Sequence, residues 1–70
     1  MIEVFKTDIQ SVKEARMVKA ELIRELGYEL IAFDLEDCDR ILRIEASEIA
    51  SQSVIQFLAR LGISCEVLPD

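Results

Sequence analysis

Apolar residues recur along this chain with two periods, and the switches between them divide it into strands and helices. A period of two runs from Ile2 to about Lys6, with Ile2 and Val4 on one side and Glu3 and Phe5 on the other. Alternation alone leaves open which face of a sheet Phe5 takes. A helical period follows from about Ser11 to Leu26. There Val12, Ala15, Val18, Leu22, Ile23 and Leu26 form one stripe, interrupted only by Lys19. Gly27 stands where a helix end favours a residue at positive φ. Tyr28 to Leu35 reads as a second strand, with Ile31, Phe33 and Leu35 inward. Arg40 to Glu45 reads as a third, with Leu42 and Ile44 inward. Ser47 is the expected N-cap of a second helix ending near Leu61, whose stripe is Ala50, Val54, Phe57, Leu58 and Leu61. After Gly62, the residues Ile63, Cys65 and Val67 alternate through a last strand that stops at Pro69.

The order β-α-β-β-α-β joins two βαβ units through a tight hairpin. The halves echo each other: RELGYEL and ARLGISCEV each place Gly after a helix and before a strand. This pattern predicts an α+β ferredoxin-like sandwich over residues 1–70, a single domain. Its four-stranded antiparallel sheet has the expected order 4-1-3-2, with both helices on one face. In that topology the first loop (Thr7 to Gln10), the hairpin and the Gly62 turn share one rim. Cys38 falls at that rim beside one edge strand, and Cys65 on the other edge. A disulfide needs Cα atoms within about 7 Å, so Cys65 is expected in the core as a small apolar residue and Cys38 as a free thiol.

Composition narrows the function classes. The chain is 51% hydrophobic, enough for a core, but a domain this small retains only about 3–5 kcal/mol of net stability. A net charge of −6 argues against nucleic acid and against anionic membrane surfaces, both of which need clustered Lys and Arg. The longest apolar run is too short to span a bilayer and no basic-then-apolar leader precedes Ile2, so the expected location is the cytoplasm, with reduced thiols. His and Asn are absent, which removes the usual general base and every histidine-dependent triad. No nucleophile has an adjacent base, so neither an enzyme nor a cofactor site is expected.

The one concentration of reactive groups is the hairpin, FDLEDCDRILRIE. A cation site here would draw on Asp8, Glu36, Asp37, Cys38 and Asp39. The EF-hand pattern does not fit, because Glu36 fills its third position, Cys38 its fifth, and no Gly follows. One thiolate among carboxylates is also a poor soft-metal site. The simpler reading is a solvated turn whose acids, beside Arg40 and Arg43, keep an edge soluble. Between these lies docking: an acidic rim that steers a basic partner, with Asp37 and Cys38 in the contact.

Over essentially the whole chain, the element order, first loop and hairpin resemble the heavy-metal-associated domain of copper chaperones and metal-pumping ATPases. That family carries M-x-C-x-x-C in the first loop, and its thiolates hold a soft metal. The equivalent stretch here is Lys6-Thr7-Asp8-Ile9-Gln10-Ser11, with Lys6 where the Met belongs and Asp8 and Ser11 where the thiolates belong. The resemblance implies the fold, while hard oxygens in place of sulfur imply loss of soft-metal transfer. Asp8 or Ser11 is then the expected cap of the first helix. The hairpin D-L-E-D-C-D-R-I-L-R also resembles that of small bacterial proteins. Acylphosphatases are similar in element order, but their first-loop Arg and nearby Asn are missing; RNA-recognition motifs need aromatics on the central strands, and the third strand has none. What remains is the sheet face without helices, where Phe5, Leu30, Ala32 and Ile41 are expected together, with Glu3, Arg43 and Glu66 around them. Such a face predicts a homo-oligomer or a protein-interaction module.

Overall fold

The computed structural model describes residues 1–69. Its elements are β1 (Ile2–Thr7), α1 (Val12–Leu26), β2 (Leu30–Asp34), β3 (Ile41–Glu45), α2 (Ser51–Arg60) and β4 (Cys65–Val67). The sheet order is β2-β3-β1-β4 with every pairing antiparallel, which is the expected 4-1-3-2 read from the other edge. Residues directly opposed in an antiparallel pair point to the same face. The registers Phe5↔Leu42, Ile31↔Ile44 and Phe33↔Leu42 therefore put these side chains on one face. Leu42, Ile44, Phe5 and Ile31 join Ala15, Val18 and Leu22 of α1 and Val54 and Leu58 of α2 in a single buried cluster. Both helices thus cover the same side of the sheet.

Register also corrects the expected open face. Phe5 is 0% exposed and belongs to the helix-covered side, because its cross-strand partner Leu42 does. Ile41 alternates onto the open side, opposite Asp34, yet it too is buried. The open face instead carries Ile2 and Val4 of β1, Leu30 and Ala32 of β2, and Arg43 and Glu45 of β3. Glu3 leaves the expected rim of that face, since it pairs with Ile44 on the covered side.

Helix α1 starts and stops as its flanks dictate. Ser11 Oγ accepts the Glu14 backbone N–H at 3.1 Å, and the Glu14 carboxylate accepts the Gln10 N–H at 2.9 Å, a reciprocal cap. Gly27 closes the helix at φ 77°, its N–H donating to the Ile23 carbonyl. The expected stripe is only partly buried, however. Val12 is 60% and Ile23 41% exposed, and Val12 borders a groove against β2. Ile9, from the loop before the helix, is fully buried instead.

Helix α2 begins later than expected. Ser47 does not cap it; residues 46–50 stay non-helical, which lets Ile49 pack against the core. The Ala50 N–H is taken by the Tyr28 hydroxyl at 3.0 Å, so a side chain from the other half of the molecule serves the helix entry. At the far end, Gly62 (φ 83°) donates to Ala59 O and Ile63 N–H reaches back to Leu58 O at 2.9 Å. This reversal drops Ile63 into the core beside the helix it leaves.

These burials reverse the order that the apolar pattern suggests for two residues, the loop Ile9 and the stripe Val12. Ile9→Ala should cost about 2–5 kcal/mol and leave the domain largely unfolded. Val12→Ala should cost ~0.5 kcal/mol or less. Urea unfolding of the two variants checks the contrast.

Candidate functional site

The shared rim forms as expected, and Thr7 is its centre. Thr7 ends β1 and is buried. Its N–H donates to the Asp39 carbonyl at 3.0 Å, and its hydroxyl donates to the Arg40 carbonyl. The same oxygen accepts the Ile9 N–H at 3.3 Å. One side chain therefore fastens the first loop to the hairpin and satisfies a buried polar group completely.

The hairpin is a turn held by its own acids. Arg40 N–H donates to Asp37 O at 3.0 Å, closing a β-turn, and Asp37 Oδ1 accepts the Asp39 N–H at 2.8 Å. Arg40 takes φ 48°, the left-handed region that brings the chain back into β3. Lys6 Nζ lies 3.9 Å from Asp39 Oδ1 across the rim.

Of the five residues expected to share a cation site, the fold gathers three. One ligand atom each from Asp37, Cys38 and Asp39 lies within 4.8 Å of the others, with Asp37 and Cys38 exposed. Asp8 is turned elsewhere: its Oδ1 accepts the Ser64 N–H at 2.9 Å, tying the first loop to the segment entering β4. Glu36 lines a groove against α1. Within the cluster, one Asp37 oxygen is already spent on the turn and Asp39 faces a lysine. The donors are hard oxygens with a single sulfur, which suits neither a tetrahedral soft-metal site nor a calcium site of six to eight oxygens.

The loop positions where the resemblance puts thiolates are likewise occupied. Asp8 binds Ser64, Ser11 caps α1, and Thr7 between strand and loop is buried. Asp8 and Thr7 each act on backbone far away in the chain, which no local pattern shows. The two thiols differ as expected. Cys38 is exposed, whereas Cys65 is half-buried against the core, opposite Thr7. Burial, with Glu66 nearby, pushes the Cys65 thiol up to about 12.

No protein-family model matches the chain, and no curated protein does. The fold is shared with the yeast copper transporter domain Ccc2a, whose solution structure was determined in apo and Cu(I)-loaded states. The two align with a TM-score of 0.81 at 13% identity, over 99% of this chain and 96% of that one. The two thus share the ferredoxin-like architecture. Among the described residues, no helix is long and apolar enough to cross a membrane.

Two outcomes test this site. At neutral pH a thiol reagent should modify Cys38 rapidly and Cys65 only on unfolding, read by mass spectrometry of the labelled peptides. Because the folded state holds the Cys65 proton more tightly than the unfolded chain, this contribution is full below the ordinary thiol value of 9.0 and is lost as pH rises from there toward about 12. Separately, Asp8→Ala should destabilise by about 1 kcal/mol and accelerate amide exchange at Ser64, with little change at Asp39.

Proposed function

We propose that this chain is a protein-interaction module that associates through its open sheet face, with a second copy as the first partner. The observation that carries the reading is the apolar pair at one end of that face. Ile2 is 51% and Leu30 61% exposed, and both stand opposite Glu45 on β3. Ala32 and Val4 flank Arg43 in the next row. The central strand therefore alternates a cation and an anion between apolar neighbours. A second copy turned by a two-fold axis sets Arg43 against the partner's Glu45 while the apolar residues meet, an isologous contact. For a domain with so small a core, the added burial also stabilises the fold.

A second reading, a cation carried at the hairpin, has in its favour the Asp37–Cys38–Asp39 cluster and the fold shared with a copper transporter domain. It stands behind because the loop oxygens and one Asp37 oxygen already serve the backbone.

Sedimentation velocity over a wide concentration range should show a reversible dimer. Ile2→Glu and Leu30→Glu should each give a monomer with unchanged circular dichroism. A wild-type monomer at every concentration overturns the proposal. Titration of the reduced protein with Cu(I), Zn(II) and Ca(II) should leave the amides of Asp37, Cys38 and Asp39 without saturable shifts; tight binding there puts the cation reading first.

A further inference from the structure

A groove of about 590 Å³ runs between α1 and the outer edge of β2. Its floor is Ile31, Phe33 and Leu35 with Ala15, and its helix lip carries Val12, Arg16 and Lys19. Three observations converge on it. First, β2 is a terminal strand, so one side of its backbone has no strand partner. Its five residues, LIAFD, carry no charge before Asp34, and neither Pro nor Lys protects the edge. Secondly, Val12 and Ile23 fall in the apolar stripe of α1 yet stay exposed; Val12 lines the lip, and Ile23 lies one turn beyond Lys19 on the same flank. An apolar flank overhanging a free strand edge leaves a slot for a further strand.

Thirdly, the lip is basic in a chain of net charge −6. Among the described residues only Lys6 and Arg24 form ion pairs, so Arg16 and Lys19, like the remaining bases, have no carboxylate within salt-bridge distance. Asp34 and Glu36 also line the groove at its hairpin end; Asp34 alternates onto the opposite face of the sheet, so along the helix lip the slot is apolar and cationic, with Glu36 at one end. This charge pattern selects the occupant. Pairing β2 antiparallel with its own copy would continue the helix layer on the same side and bring Arg16 and Lys19 against their equals. An acidic strand meets no such repulsion along the helix lip.

We propose that this groove docks an extended acidic peptide segment, which adds a fifth strand beside β2. Backbone hydrogen bonds along the free edge hold it, alternate apolar side chains fill the slot over Phe33 and Ile31, and carboxylates meet Arg16 and Lys19. This site is separate from the open face, so an Ile2→Glu variant, monomeric or not, keeps it.

The test uses a blocked peptide alternating Glu and Val, long enough to pair with the five residues of β2. Its counterpart alternates Lys and Val. The Glu peptide should give saturable amide shifts over residues 30–34 and 12–19, weakened by salt, and should bind more tightly than the Lys peptide. The double variant Arg16→Glu/Lys19→Glu, whose side chains are exposed, should keep its circular dichroism, bind the Glu peptide about tenfold more weakly and reverse the preference. Equal binding of both peptides, shifts centred on the open face or hairpin, or no saturable response would each overturn the proposal.

Discussion

Thr7 holds together the rim on which the first-loop and hairpin candidates depend. It sits at the last position of the central strand, buried, and its N–H, hydroxyl hydrogen and hydroxyl oxygen all have backbone partners. Two of those partners are carbonyls of the acidic hairpin, and the third is the amide of Ile9, the residue that plugs the core below the first loop. A buried hydroxyl stripped of any one of these bonds would carry a desolvation penalty of about 1–3 kcal/mol. The loop, the hairpin and the start of α1 are therefore positioned as one unit. The polar side-chain atoms of the loop are joined to the chain's own backbone.

The acids and bases follow the same division. Asp37 and Asp8 look like ligands in the sequence but serve a turn and a loop crossing. Arg16 and Lys19 look like ordinary solvated helix residues but border the one long free strand edge. Net charge describes the whole surface poorly, because its sign differs from patch to patch. The open face, with Arg43 and Glu45 alternating on β3, is close to neutral and suits a self-complementary contact.

Strand and helix order, sheet topology and the shared rim were legible in the chain because period and punctuation agree: Gly27 and Gly62 both take the left-handed φ their positions suggest. What escaped was set by register and by distant partners. The face of Phe5 depends on its opposition to Leu42, which no local pattern contains. Helix α2 loses its expected Ser47 cap because Ile49 is drawn to the core and Tyr28 supplies the acceptor. Val12 and Ile23 belong to the stripe by period, but α1 sits over the β2 side of the sheet with its flank overhanging the edge, and period cannot report that offset. Of the candidate site, the contiguous trio in the hairpin was readable as sequence neighbours. The diversion of Asp8 to Ser64 spans most of the chain and left no trace in either segment.

The strand order has a further consequence, for how the chain assembles. β1 is first among the strands in chain order but lies inside the sheet, paired on one side with β3 and on the other with β4. It cannot satisfy its backbone until Ile41–Glu45 arrive, and its second side waits for Cys65–Val67. The β2–β3 hairpin can form locally, whereas both pairings of β1 require closure of long loops. Until both form, β1 keeps two unpaired backbone edges, and unpaired edges invite misassociation.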